Sequence, residues 1–152
     1  MAAARKTPKI RKVLLIDDDR QLADWAQLLA ADPEKRIEFV VLPVEQGSEV
    51  VEWLGEVAVK QLPQLILLDL QLPKLDGLAV LRTLRKNVAT REIPLVAFAA
   101  SYTQEDVQMG YKVGANVCVA KPASQEEFAA LVEQQLNYWL GPRQQELALA
   151  TN

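Results

Sequence analysis

From Val13 onward, short aliphatic runs alternate with longer segments in which apolar residues return every three or four positions. Unbroken apolar runs predict strands buried on both faces, and a period near 3.6 predicts helices with one buried face. Five runs fit the first description: Val13–Ile16, Ile37–Leu42, Leu65–Leu68, Leu95–Phe98 and Val117–Val119. Between them, Leu22, Trp25, Ala26 and Leu29 recur at helical spacing, as do Val50, Val51, Leu54 and Val57, and then Leu78, Leu81 and Leu84. Thr103 is placed to cap a helix that runs to about Val113 and stops at Gly114. Ser124 precedes Glu126 and Glu127 as the cap of a last helix carrying Phe128, Leu131, Val132, Leu136 and Trp139, which should end at Gly141-Pro142. The order is (βα)5, which predicts a parallel sheet covered by helices.

The chain has 152 residues, 50% of them hydrophobic and 24% charged, about one domain's worth. Residues 1–10 form a basic stretch expected to be a flexible arm, 11–140 the folded domain, and 141–152 a C-terminal tail too short for an effector domain. A net charge of -3 gives no global preference for polyanions, so no DNA partner is expected. No apolar run is long enough to span a bilayer, and the single cysteine, Cys118, excludes an intrachain disulfide. A cytoplasmic location without membrane contact is expected. Histidine is absent, which removes Ser-His-Asp and Cys-His nucleophiles, histidine zinc sites and a phosphohistidine carrier from this chain. Carboxylates must carry any chemistry.

In a right-handed parallel sheet, the residues that follow each strand gather at one edge, where ligands bind. Asp17, Asp18 and Asp19 follow the first strand, Asp69 the third and Lys121 the fifth. If strands one and three are neighbours, as in the order 2-1-3-4-5, these residues converge. Clustered carboxylates repel one another unless a cation neutralises them, and an oxygen-only site with few protein ligands suits Mg2+. A metal and an ammonium beside a carboxylate equip it to receive a phosphoryl group, with no general base required.

The segment LILLDLQLPKLDG, Leu65 to Gly77, together with VLLIDDD before a helix and VAKPA near the end, resembles the receiver domain of two-component response regulators over residues 11–140. The resemblance implies a flavodoxin-like, doubly wound (βα)5 fold with a five-stranded sheet of order 2-1-3-4-5. It implies that Asp69 is the phosphoacceptor and that Mg2+ is held by Asp17, Asp18, Asp69 and the backbone carbonyl of Gln71. Lys121 and the backbone N–H of Ala100 would bind the phosphoryl oxygens. The Lys121–Pro122 peptide is often cis in the family, and Gly77 would supply a turn with positive φ. Asp19 is assigned as a helix cap.

Two positions depart from the family pattern. Ala99 stands where the family has Thr or Ser, and Cys118 where it usually has Tyr or Phe. Both side chains of the usual switch, a hydroxyl that bonds the phosphoryl group and a ring that follows it inward, are therefore absent at their own positions. Ser101 lies two residues beyond Ala99, about 6 to 7 Å along an extended chain, too far to replace the hydroxyl. Cys118 is expected to be a small buried apolar residue.

The function expected is that of a stand-alone response regulator, not an enzyme. It would accept phosphate on Asp69 from a sensor histidine kinase or a phosphotransfer protein and signal by non-covalent binding. A weaker similarity to regulators that partner phytochrome-type kinases adds a homodimer, formed through the helix 4/strand 5/helix 5 face or the last helix, with Tyr138 or Trp139 as anchors. The alternative is a degenerate-switch receiver that acts as a phosphorylation-independent interaction module. A phosphohydrolase of the haloacid-dehalogenase type would want a second Asp two residues after the nucleophile, where this chain has Gln71.

Overall fold

The computed structural model describes residues 9–42, 48–56, 62–72, 75–99 and 103–141. Five strands, β1 (Arg11–Ile16), β2 (Ile37–Leu42), β3 (Leu65–Asp69), β4 (Leu95–Ala99) and β5 (Val117–Ala120), form one sheet. They are interleaved with α1 (Arg20–Ala31), α2 (Ser48–Glu56), α3 (Gly77–Lys86), α4 (Gln104–Val113) and α5 (Gln125–Leu140). All pairings in the sheet are parallel and its order is β2-β1-β3-β4-β5. The expected doubly wound order is therefore the one found. Its reversal between β1 and β3 opens a crevice at the carboxyl ends of those strands.

The sheet divides the core in two. Leu14, Ile16, Ile66 and Leu68 face α2, α3 and α4 through Val50, Val80, Leu81 and Leu84, with Val107 and Val113 packed against them from α4. Val13, Leu15, Leu65, Leu67, Val96 and Phe98 face α1 and α5 through Leu22, Ala26, Leu29, Phe128, Val132 and Leu136. Alternation along each strand supplies both faces at once, which is why the runs read as continuously apolar. On α3 the deepest positions are Val80, Leu81 and Leu84, whereas Leu78 is half-buried. Val57 lies outside the described residues, as does the side chain of Val51.

Helix ends follow the sequence signals. The side chains of Thr103 and Ser124 accept from the N–H groups of Asp106 and Glu127. Gly114 closes α4 at φ 133°, a conformation costly for any residue with a Cβ. α5 ends at Leu140. One polar side chain joins three elements with no signal for it along the chain. Arg85, in the last turn of α3, donates to the carbonyls of Gly114 and Ile93 at 2.8 Å each and to Asn116 Oδ1 at 2.8 Å. It ties α3 to the start of β4 and to the α4–β5 turn. Among the described residues no helix is long and apolar enough to cross a membrane.

Candidate functional site: a lysine among carboxylates

Asp17 ends the run begun by β1 and is 2% exposed; Asp69 ends β3 and is 4% exposed. The β1–β3 register pairs Ile16 with Leu68, so the next residue of each strand, Asp17 and Asp69, comes out at the same level. Both are fixed by short backbone turns. Asp17 Oδ1 accepts from the N–H of Asp19 at 2.8 Å, and Asp69 Oδ1 accepts from the N–H of Gln71 at 2.8 Å. Lys121 arrives from the end of β5, three strands from β1 and two from β3 in the sheet order, and its Nζ lies 3.2 Å from Asp69 Oδ2 and 3.3 Å from each oxygen of Asp17.

Burial first, and then the charge of Asp69, push the Asp17 carboxyl up to about 6; the Asp19 N–H and Lys121 pull it the other way. Burial alone would lower Lys121, but the charges of Asp17 and Asp69 outweigh it and hold the ammonium above its usual value. The lysine therefore stays protonated at neutral pH.

Asp17 Oδ2 touches Lys121 only as an ion pair, and Asp18 Oδ1, also buried, accepts no hydrogen bond. Two carboxylate oxygens left without donors are what a small hard cation with a mostly aqueous coordination shell would use. Among the described residues no three metal-donor side chains are gathered as a ready cage. The three carboxylates that pair with Lys121 are Asp17, Asp69 and Asp19, of which Asp17 and Asp69 also belong to the expected Mg2+ set. Asp19 does cap α1, its side chain accepting from the Gln21 N–H, but it also reaches the lysine, which the cap assignment missed.

Around this cluster three expectations need correcting or placing. Gly77 is not in the left-handed region; among the described residues Gly114 is the only glycine with positive φ. Glycine is required at 77 because a Cβ there would run into the backbone of Leu70, 2.5 Å from its carbonyl oxygen. The Lys121–Pro122 peptide is trans, since no cis bond occurs among the described residues. Ala100 and Ser101 lie outside the described residues.

Ala99 is buried at the end of β4 and lines a cavity of about 190 Å³ together with Leu70, Gln71, Asp76, Leu78, Asp106 and Met109. Cys118 is buried against Gly110, where an added Cβ would stand 2.6 Å from its sulfur, and burial raises its thiol pKa. It is a packed apolar residue, as expected. A larger cleft of about 390 Å³, beside Ile10 and Arg36, lies at the opposite end of the sheet from the carboxylates.

The response regulator receiver domain family matches residues 13–133 of the chain. The chain belongs to this family. It is 35% identical over 133 residues to a probable methanogenesis regulatory protein, FilR2, of Methanothrix harundinacea, with 85% of this chain and 83% of that protein aligned. It is 32% identical over 121 residues to the DNA-binding dual master transcriptional regulator RpaA of Synechocystis, covering 80% of this chain but only 47% of that regulator. Among solved structures, the phosphorylated cyanobacterial phytochrome response regulator RcpA superposes with a TM-score of 0.71 at 30% identity, over 86% of this chain and 94% of its own. The Mn2+-bound form of response regulator Rcp1 gives 0.68 at 26% identity, over 87% and 96%. Receiver domains accept a phosphoryl group in two-component signalling, and this chain has the fold and the sequence of one.

Proposed function

We propose that Asp69 is the phosphoacceptor of a Mg2+-dependent phosphorelay. The observation that carries this reading is the placement of the Lys121 ammonium within 3.3 Å of both Asp69 and Asp17 at the carboxyl edge of the sheet. Asp69 Oδ2 attacks the phosphorus of a phosphohistidine, its new O–P bond forming as the N–P bond breaks, and the leaving imidazole nitrogen takes up a proton. Lys121 follows the equatorial oxygens, and the Gln71 N–H holds the other oxygen of Asp69 so that one lone pair points outward. Asp17, Asp18, Asp69 and the Gln71 carbonyl are the residues that would hold Mg2+, which when bound offsets phosphoryl charge. The two donorless oxygens of Asp17 and Asp18 support that assignment, as does the Mn2+-bound state of the similar regulator Rcp1.

The donor in this reading is a sensor histidine kinase or a phosphotransfer protein, and similarity to RcpA favours one of phytochrome type. The protein acts as a signalling acceptor rather than an enzyme, through non-covalent contacts. In this reading the α4–β5–α5 face is the surface for a partner or a second copy, supported by exposed Met109 and Tyr111 on α4 and Tyr138 on α5. Ala99 and Cys118 favour a second reading, an interaction module that phosphorylation no longer switches.

Incubation with Mg2+ and acetyl phosphate, followed by a phosphate-affinity gel, tests both. A shifted band that is lost in Asp69→Asn supports the acceptor. Absence of any shift dependent on Asp69 favours the interaction module.

A further inference from the structure

Asp19 carries more charge than its cap requires. Its carbonyl accepts from the Ala23 N–H at 3.2 Å, and of its side chain only Oδ1 serves the α1 terminus, accepting from the Gln21 N–H at 2.9 Å. Its Oδ2 lies 3.3 Å from Lys121 Nζ. Asn caps a helix about as well as Asp. The cap therefore explains an oxygen at this position but not a second, charged one aimed at the lysine. The Asp19 N–H also donates to Asp17 Oδ1, so the same residue sets the carboxylate of Asp17 and touches the ammonium that faces it.

Lys121 has one positive charge and three carboxylate neighbours. Asp17 and Asp69 are almost fully buried, whereas the Asp19 side chain is 36% exposed. Asp19 is thus the neighbour that water can reach when the lysine leaves. A phosphoryl group on Asp69 adds anionic oxygens that must draw the lysine toward them, away from Asp19, while Asp19 stays close enough to repel them.

We propose that Asp19 is a positioning residue that competes with the phosphoryl group for Lys121 and so lowers the stability of the phosphorylated state. The proposal rests on Asp69 being the phosphoacceptor. Its sense follows from charge: removing the anion while keeping the cap frees the lysine and removes a repulsion.

The test compares the wild type, Asp19→Asn, Asp19→Ala and Asp69→Asn in saturating Mg2+. Affinity for beryllofluoride is measured by calorimetry, alongside thermal stability. Asp19→Asn should melt within a degree or two of the wild type yet bind beryllofluoride about three- to fivefold more tightly, the range of a partly exposed ion pair, with the gap narrowing in high salt. Asp19→Ala should bind as Asn does but melt lower, since only it loses the cap. In proton–nitrogen spectra of the metal-free protein, the Lys121 ammonium should exchange faster with water in Asp19→Asn. Equal or weaker beryllofluoride binding by Asp19→Asn, with the wild type binding well, overturns the role of Asp19 alone. No binding by the wild type overturns the phosphoacceptor reading, and this role with it.

Discussion

The hydroxyl of Tyr111, on α4, accepts a hydrogen bond from the backbone N–H of Cys118 at 3.3 Å. β5 is the edge of the sheet, and Cys118 turns its N–H to the open side, where it would otherwise seek water or another strand. The aromatic ring that the family places at position 118 thus has no counterpart on β5, while a phenol from the neighbouring helix reaches the same residue from outside. The close fit of Gly110 over the Cys118 sulfur keeps α4 near enough for this contact. Tyr111→Phe should cost about 0.5–1.5 kcal/mol, a single hydrogen bond's net worth, read as a lower urea midpoint. It should also speed amide exchange at Cys118 specifically, and unchanged protection there would show that the phenol contributes nothing to the edge.

Gly77 lies where no side chain fits. Gly77→Ala should lower stability by about 1–3 kcal/mol, the usual cost of overpacking, because the obstacle is the Leu70 backbone and not a flexible side chain. Since Leu70 directly follows Asp69, the displacement should also weaken beryllofluoride binding. A variant as stable as the wild type would mean that the loop moves aside freely.

Arg85 uses its planar fork on several acceptors at once, and Gly114, one of them, leaves no room for a Cβ beside the arginine stem. Arg85→Lys keeps the charge but cannot serve carbonyls in three directions. It should lose about 2–3 kcal/mol, the order expected for one or two charged hydrogen bonds after partial compensation, in chemical unfolding. A lysine that fully replaced it would point to charge alone.

The Asp17 carboxyl, raised from 3.8 to about 6, ties stability to pH. Between those values the folded chain keeps a proton that the unfolded chain has released, so the metal-free fold loses stability as pH rises through this window and stays at the lower level above it. At neutral pH, Asp17→Asn should be more stable than the metal-free wild type by about 1 kcal/mol or more, and the difference should close on acidification below the folded value. Mg2+ should stabilise the wild type most at neutral pH, because below that window the proton competes for the same carboxylate, and it should do little for the variant. A difference independent of pH would rule out the buried charge as its source.

Ala99 removes a hydroxyl but leaves space, since it borders the cavity of about 190 Å³ beside the site. Ala99→Ser should raise beryllofluoride affinity by up to about tenfold, the equivalent of one hydrogen bond to a charged acceptor. No gain would indicate that the end of β4 stands too far from the phosphoryl oxygens to have used one.

The sequence alone determined the five strands, the helices between them, the caps at Thr103 and Ser124, the stop at Gly114 and the positions of Asp17, Asp69 and Lys121 after their strands. Those features depend on local periodicity and on residue types that satisfy backbone groups within a few positions, so they are written along the chain. Only the tertiary structure decided that Asp19 rather than Asp18 completes the ring of carboxylates around Lys121, that Gly77 is demanded by a close approach instead of a positive φ, and that Arg85 and Tyr111 tie elements far apart in sequence. These depend on which side chain of a turn faces inward and on which backbones meet in space. The sequence spacing of Asp17, Asp18 and Asp19 is identical whichever of them turns toward the lysine, and only the packed sheet edge separates the cases.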